Sequence, residues 1–383
     1  MEIILDREYL QSKVNLLKGI TKHKSLMPIC RSLLFDLPGN TMSATNLEVS
    51  AITSFKTDAE DAKVVIHAGT LSEILENLKD QEVKFTRNGD DTMLKIEHGR
   101  TEIGLALADP KDFPEIQLLN DTEAFSLEGK DILRGIRKVL YAVSNDEDRY
   151  VLTGMFMQVK GGQFRMCGTD GFRLAMLRKD VGADTPDSPQ IVIPGKNVKI
   201  LREMIEDNDT VGVIINEEKV QFMTARATII FRTLSGAYPD YEGAAAGTGD
   251  KNIMIIKRVQ LLDCLRRMAP LSGKKDSLRL SRTEPSGLTV RIDSDKGYAQ
   301  ETVDCEFNNK GRFQMEFNIE YLYDAVEHIE TDQLVVRYPR TYGAVVMDTD
   351  DYLCVVMPLR ENFTPIEEEA SKGNSDKTGG KNE

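Results

Sequence analysis

Two acidic residues lie in sequence settings where catalysis or metal binding has to be considered. Asp170 lies in Thr169-Asp170-Gly171-Phe172-Arg173, and Asp240 lies in Tyr238-Pro239-Asp240-Tyr241. A catalytic or metal-binding aspartate needs a histidine or a second carboxylate close by, and neither stretch supplies one. Aspartate beside glycine or proline is typical of tight turns. We therefore interpret both aspartates as turn residues.

The other reactive residue types also give no indication of an enzyme. There are only four histidines, and no phosphate-binding loop, dinucleotide-binding motif or zinc-protease motif occurs. The five cysteines are scattered without C-x-x-C spacing: Cys30, Cys167, Cys264, Cys305 and Cys354. This distribution predicts reduced, buried thiols in a cytoplasmic protein. We expect no catalytic residue, no metal site and no cofactor.

Basic side chains are a more informative feature, because they concentrate in predicted helices although the net charge is −13. The residues concerned are Arg134, Arg137, Lys138, Lys199, Arg266 and Arg267. Ordinary solvated helix faces carry such charge too, and that interpretation stays open. The alternative is a shared positive surface that attracts nucleic-acid phosphates without reading bases.

These basic helices belong to a long internal repeat. Taking Ile66, Ile193 and Phe317 as equivalent gives separations of 127 and 124 residues, and Thr45-Asn46 precedes Thr169-Asp170 by 124 residues. Each repeat has an early helix predicted from its apolar spacing. These helices are predicted over Arg7–Gly19, Lys130–Ser144 and Lys257–Met268. Several markers with one period indicate a triplicated unit.

The repeats predict an α+β fold. Short alternating strands joined by turns such as Lys160-Gly161-Gly162 favour antiparallel sheets, with two helices per repeat covering one face. The predicted domains are residues 1–121, 122–247 and 248–363, followed by a polar, disordered tail at 364–383. We find neither a signal peptide nor an apolar run of about 18 residues, so no membrane association is expected.

Six segments, in this order, resemble the β sliding clamp of bacterial DNA polymerase III. They are Ala44-Thr45-Asn46-Leu47-Glu48, Asp112-Phe113-Pro114, Arg149-Tyr150-Val151-Leu152-Thr153-Gly154, Thr169-Asp170-Gly171-Phe172-Arg173-Leu174-Ala175, Gly236-Ala237-Tyr238-Pro239-Asp240-Tyr241 and Val355-Val356-Met357-Pro358-Leu359-Arg360. The resemblance implies a head-to-tail homodimer closed into a ring, with sheets outside and helices lining a central hole. It implies no enzymatic activity: the ring encircles double-stranded DNA without sequence preference and tethers the polymerase for processive synthesis.

The resemblance also implies partners and their contact residues. The expected partners are a second copy of the chain, the polymerase III alpha subunit, the clamp loader complex and other proteins with a clamp-binding motif. The implied peptide pocket comprises Arg149, Leu152, Thr169, Gly171, Arg173, Leu174, Pro239, Val355, Val356, Met357, Pro358, Leu359 and Arg360. The implied DNA contacts are Lys24, Tyr150 and Lys196, and the implied dimer contacts are Ile103, Leu105 and Leu271.

Three features depart from the family pattern: the residue after Gly171, the segment after Tyr241 and the additional tail beyond Arg360. Phe172 stands where the family often has histidine, and Glu242-Gly243-Ala244 follow Tyr241 where basic residues are common. Two other function classes are the alternatives to the clamp. A hydrolase is disfavoured because no catalytic constellation is present. A repeat-built protein scaffold that does not bind DNA is disfavoured because all three repeats carry basic helices.

Overall fold

The fold is taken from a computed structural model. It describes residues 2–22, 27–57, 62–79, 81–87, 89, 92–120, 124–246, 252–273, 277–283, 286–339 and 342–359. The predicted DNA contact Lys24, the pocket residue Arg360 and the tail at 364–383 lie outside these ranges. In the part of the chain that is described, no helix is both long and apolar enough to cross a membrane.

Seven helices are present in the described ranges. They are α1 Arg7–Thr21, α2 Ala68–Asn77, α3 Gly129–Val139, α4 Gly195–Met204, α5 Tyr241–Ala246, α6 Arg258–Met268 and α7 Ile319–His328. The three predicted early helices correspond to α1, α3 and α6. The second ends five residues earlier than predicted, because residues 140–142 form a tighter 3₁₀ turn.

The strands of the first repeat are β1 Glu2–Asp6, β2 Ser32–Asp36, β3 Thr41–Thr45, β4 Val49–Ser54, β5 Lys63–His67, β6 Glu82–Thr86, β7 Met93–His98 and β8 Thr101–Ala108. The second repeat contains β9 Phe125–Glu128, β10 Gly154–Lys160, β11 Gln163–Thr169, β12 Arg173–Asp180, β13 Ile191–Pro194, β14 Thr210–Ile215, β15 Lys219–Met223 and β16 Thr228–Arg232. The third contains β17 Asn252–Lys257, β18 Leu278–Thr283, β19 Gly287–Ser294, β20 Gly297–Val303, β21 Cys305–Phe307, β22 Gln314–Phe317, β23 Gln333–Tyr338, β24 Val345–Asp348 and β25 Tyr352–Val356.

The order of elements repeats three times. Within the described residues, each repeat has one strand, a first helix, three strands, a further strand, a second helix and three closing strands. The third repeat also contains β21, and α5 follows the second repeat. Neighbouring strands pair antiparallel, for example β10 with β11. Gly161 and Gly162 have φ of 58° and 72°, as a tight hairpin between these strands requires. The predicted antiparallel α+β fold is confirmed.

The chain forms two compact units. The first comprises Met1–Gly171 and Met176–Pro239, and the second comprises Phe172–Ala175 and Asp240–Glu383. Within the first unit, a twelve-stranded sheet runs in the order β1-β6-β7-β8-β5-β2-β3-β4-β16-β15-β14-β9. It passes from the first repeat to the second where β4 pairs with β16, for example Ala51 opposite Ile229.

The second unit contains its own sheets. One runs β25-β24-β23-β17-β21, with the first residues of β12 beside β25, and the other runs β20-β19-β18-β22. In the second of these, β20 is at the edge and pairs with β19 over its full length, from Val303 opposite Leu288 to Gly297 opposite Ser294.

The start of α1 shows how the sequence fixes a helix on a sheet. The Asp6 carboxylate accepts the Tyr9 backbone N–H at 2.7 Å, and this hydrogen bond lowers the pKa of Asp6. The helix then buries Leu10, Val14 and Leu17 at four- and three-residue spacing. Apolar residues at this spacing form one stripe, so the opposite face of α1 stays available to solvent.

All five cysteines are buried free thiols, as predicted. Burial raises the pKa of Cys264 and that of Cys305 to about 12 in each case, and it also raises the pKa of Cys167. The thiolate is the form of cysteine that attacks a thiol reagent, and a thiol with a raised pKa is protonated at neutral pH. We expect almost no reaction with a disulfide reagent at pH 8 in the folded protein. All five thiols should react once guanidinium unfolds the chain. Rapid labelling of a native thiol would contradict this burial.

Candidate functional site

The basic face of α3 is smaller than the sequence indicates. Arg137 is exposed and Arg134 is half-buried. Lys138, in contrast, is only 2% exposed, because it lies three residues after Gly135 on the buried stripe of the helix. The prediction that Lys138 faces DNA is therefore wrong. Its side chain does not present its charge to solvent.

The start of α4 presents two further basic residues in the first unit. Lys196 and Lys199 are both exposed, and Lys196 lies in the first turn of the helix. The predicted contact residue Tyr150 is also exposed. Tyr150 and Lys196 line the same cleft, whose volume is about 680 Å³. The structure thus brings together two residues that were implied separately as DNA contacts.

In the second unit, Arg266 and Arg267 at the end of α6 are exposed but already paired. Arg267 forms an ion pair with Glu301. Arg266 donates to the Tyr323 hydroxyl at 3.2 Å and lies near Glu327. These hydrogen bonds raise the pKa of both guanidinium groups. Both arginines stay charged, and nearby acceptors partly neutralise their field.

The predicted dimer residues lie on or near open strand edges. In the described residues, β8 pairs with β7 from Thr101 to Ala106, and with β5 only at Leu107 and Ala108. The edge of Thr101–Ala106 that faces away from β7 is therefore open. Ile103 is half-buried on this segment. Leu105 is only 7% exposed, since its side chain packs into the chain's own core.

Leu271 is near the other open edge. It ends the turn Ala269–Leu271, which packs against β19 and β20. Lys296, in the hairpin between these strands, donates to the Pro270 carbonyl at 3.2 Å. Leu271 itself is half-buried. The arrangement places an apolar side chain next to the edge strand β20.

The predicted pocket residues of the second unit form an apolar strip with a buried floor. Leu174, Val355, Val356 and Pro358 are buried, while Met357 is half-buried and Leu359 is 38% exposed. The Met357 N–H donates to the Phe172 carbonyl at 2.8 Å, which joins the strip to the start of β12. Of these residues, only Met357 and Leu359 have side chains that are open to a ligand.

Two aromatic residues extend this strip, and the sequence did not reveal that they are neighbours. Phe172 is 50% exposed and stacks on Tyr321 with ring centroids 6.3 Å apart. The Arg173 guanidinium lies over the ring of Tyr321, 4.5 Å from its centroid, and forms an ion pair with Asp324. The side chain of Arg173, an implied pocket residue, is only 13% exposed, and its guanidinium is held in this ion pair.

The pocket residues of the first unit are fixed by turns. The Thr169 hydroxyl accepts the Gly171 N–H at 3.1 Å, and Gly171 has a φ of 86°. Arg149 donates to the Asp170 carbonyl at 2.7 Å, which confirms Asp170 as a turn residue. Leu152 is half-buried and Pro239 is exposed. None of these arrangements resembles a catalytic centre. In the described ranges, no cluster of three metal-ligating side chains occurs.

Comparison with known proteins agrees with this fold. Three family models match: the N-terminal domain of the DNA polymerase III beta subunit over residues 1–117, its central domain over 126–240 and its C-terminal domain over 247–360. The chain belongs to the DNA polymerase III beta subunit family.

Similar proteins carry the name beta sliding clamp. The protein from Pseudomonas aeruginosa is 28% identical over 371 residues, which cover 94% of this chain and all of the relative. The protein from Caulobacter vibrioides is 26% identical over 373 residues, with the same coverage.

Solved structures are similar as well. That of the Pseudomonas aeruginosa beta subunit has a TM-score of 0.86 at 27% identity, covering 94% of this chain and 100% of that chain. The Bacillus subtilis sliding clamp, at 20% identity and a TM-score of 0.85, covers the same shares and supports the fold. The predicted family, three-domain clamp fold and function as a DNA sliding clamp are confirmed. The chain is a polymerase processivity factor and not an enzyme.

Proposed function

We propose that two copies of this chain close head to tail into a ring around duplex DNA. The open edges of β8 and β20 carry the proposal. In the first unit, the closing strand β16 of one repeat pairs with β4 of another. In the second unit, the closing strand β25 lies beside the start of β12, which is the equivalent of β4. By the same pattern, β8 is equivalent to β16 and β20 is equivalent to β4. Pairing β8 of one protomer with β20 of its partner would repeat this junction and close the ring.

The basic residues support DNA as the ligand inside such a ring. Arg137, Lys196 and Lys199 are exposed on first and second helices of one repeat, and Tyr150 lies beside Lys196. We propose that these residues and half-buried Arg134, with Arg266 and Arg267 of the third repeat, contact phosphates. Such contacts carry no sequence information and weaken with salt. Weak contacts of this kind suit a protein that must move along DNA.

The apolar strip supports a second role, the capture of short peptide segments. We propose that the polymerase III alpha subunit, the clamp loader and other clamp-binding proteins insert such segments beside Phe172, Met357 and Leu359. The predicted residues of the first unit, among them Arg149 and Pro239, belong to this proposal as well. We place the ring in the cytoplasm, where reduced thiols such as those found here persist.

Reversing charge on the helices should weaken retention on DNA. We expect Arg137→Glu with Lys199→Glu to lower the fraction held on nicked circular DNA about tenfold, because phosphate contacts are lost and repulsion is added. The measurement is gel filtration of labelled protein after loading by a clamp loader. Lys63→Glu with Lys219→Glu is the matched control, since it changes net charge equally at strand residues.

Linearising the DNA separates a ring from a surface binder. A ring slides off a cut end, so unaltered protein should be retained on circles and lost from linear molecules. Retention that is equal on both forms would exclude encirclement. Failure to bind either form would favour the alternative, a repeat-built scaffold for proteins alone.

A further inference from the structure

The turn between β3 and β4 is built by its first two residues. The Thr45 hydroxyl accepts the Leu47 N–H at 3.1 Å, and the Asn46 amide oxygen accepts the Glu48 N–H at 3.0 Å. Leu47 has a φ of 76°, a conformation that non-glycine residues rarely adopt. The turn therefore holds the position of Glu48 firmly, and the Glu48 carboxylate takes no part in these bonds.

The second repeat shows that this turn needs no carboxylate. Thr169 bonds there in the same way as Thr45, and Gly171 has the same left-handed backbone as Leu47. The position equivalent to Glu48, 124 residues further on, is Phe172. The geometry of the turn therefore does not require an acidic residue at position 48.

The Glu48 carboxylate binds the start of α4. The Lys196 ammonium lies 3.0 Å from one carboxylate oxygen and 2.9 Å from the other, and this second oxygen also accepts from the Asn197 amide at 3.1 Å. The side chains of Glu48 and Lys196 are 49% and 61% exposed. A pair this open to water is weak and exchanges readily with other ions. A negative group is also favoured here, because the first turn of a helix carries partial positive charge.

The surroundings of the pair allow another anion to reach Lys196. Glu48, Tyr150 and Lys196 line the cleft of about 680 Å³. Arg232, whose backbone N–H donates to the Glu48 carbonyl at 2.8 Å, lines it as well. The cleft contains both a proposed DNA contact and the carboxylate that now neutralises the neighbouring lysine.

We propose that Glu48 is an intramolecular competitor for DNA phosphate at Lys196. The inference rests on the proposed function, in which Lys196 faces DNA. When a phosphate approaches, Lys196 leaves the Glu48 carboxylate and pairs with the phosphate. Because one ion pair replaces another, the net gain in binding free energy is small and the new contact breaks readily. Glu48 thereby keeps the clamp's hold on DNA weak at this position and lowers the resistance to sliding.

The test compares the unaltered protein with four full-length variants, each titrated against a fluorescein-labelled 30-base-pair duplex without a loader over a range of KCl concentrations. Glu48→Gln keeps the size and an oxygen acceptor for Asn197 but removes the charge. We expect it to raise the affinity about threefold, as expected for releasing a surface ion pair. The plot of log affinity against log salt should steepen by up to about one unit, because one more phosphate contact is counted. Glu217→Gln removes an equal charge from the turn between β14 and β15. We expect it to change the affinity and the salt dependence less than Glu48→Gln does.

Lys196→Ala, alone and combined with Glu48→Gln, decides the mechanism. The proposal expects the gain from Glu48→Gln to vanish in the Lys196→Ala background. An equal gain in that background, or no gain at all, overturns it. If Lys196→Ala alone leaves affinity unchanged, Lys196 does not contact DNA and this inference is wrong. Encirclement is tested separately by linearised DNA. Unchanged thermal unfolding of Glu48→Gln would show that the ion pair is not simply a structural tie between repeats.

Discussion

We expect the double variant Glu102→Pro, Gly104→Pro to sediment as a single chain of 43.0 kDa, at concentrations where the unaltered protein has twice that mass. Both residues lie on the part of β8 whose outer edge is open. Proline has no N–H and its ring obstructs an incoming strand. The variant therefore removes two donors that an added strand would use, each with a net value of about 1 kcal/mol.

The register shows that these two donors point away from the chain's own sheet. The Leu107 N–H donates to the Thr92 carbonyl, and N–H directions alternate along an antiparallel strand. Ile103 therefore directs its N–H toward β7, whereas Glu102 and Gly104 direct theirs to the open edge. A residue before proline favours extended backbone, so Ile103 can stay in the strand. The variant should leave β7 and β8 paired.

The matched control is Glu102→Ala, Gly104→Ala. It breaks the same ion pair, that between Lys95 and Glu102. It also adds a Cβ at position 104, whose closest neighbour is the flexible end of Met93. Both N–H groups remain, so we expect a dimer. If the proline variant is dimeric and folded, β8 is not the dimer edge. A charged residue at position 105 would be a poorer test of the edge, because Leu105→Asp would bury a carboxylate in the core and unfold the domain.

Helices were predicted well from the sequence where the spacing of apolar residues determines which face is buried. The prediction was less accurate where a helix packs very closely against a strand. The stripe of α3 was predicted from Ile132, Leu133, Ile136, Val139 and Leu140, and most of it is confirmed. However, the helix also turns Gly135 inward. A Cβ there would lie 1.8 Å from the terminal carbon of Met166.

This close approach explains the burial of Lys138. Because Gly135 has no side chain, α3 lies tight against β11, and the next residue on that side is covered too. Spacing alone cannot reveal how closely two elements approach, and a lysine is rarely buried. From the sequence, Lys138 was therefore predicted to lie on the exposed basic face of α3.

Contacts between distant segments limit the prediction of the partner site in the same way. The resemblance implies that Arg173 belongs to the peptide pocket, but its side chain is mostly buried. Its partner Asp324 lies 151 residues away, and the cation–π contact with Tyr321 comes from the same helix, α7. No local pattern links these residues. The resemblance identified the segment around Arg173, but only the fold shows that the neighbouring Phe172 is 50% exposed.

The exposed residues of the strip should dominate peptide binding. We expect Met357→Ala and Leu359→Ala each to weaken a polymerase C-terminal peptide about tenfold, or roughly 1–2 kcal/mol per site. The expected ligand ends in leucine or phenylalanine, often preceded by glutamine, as the resemblance implies. Its affinity should be on the order of micromolar, because a short flexible peptide loses entropy when it is ordered. Titration of the labelled peptide by fluorescence anisotropy gives both quantities.

Met357 and Leu359 are suitable positions for this test because, unlike Leu174, they are not fully buried. Leu174→Ala would open a cavity in the folded chain and destabilise it by about 2–5 kcal/mol, so a weaker titration would not identify a contact. Met357 and Leu359 are partly open, and their truncation leaves the buried floor intact. Leu118→Ala is the matched control, because Leu118 is another exposed leucine, outside the strip. It should bind the peptide normally, and all three variants should keep the dimer mass. Unchanged affinity in the Met357→Ala, Leu359→Ala double variant, with the fold intact, would mean that the peptide binds elsewhere on the clamp.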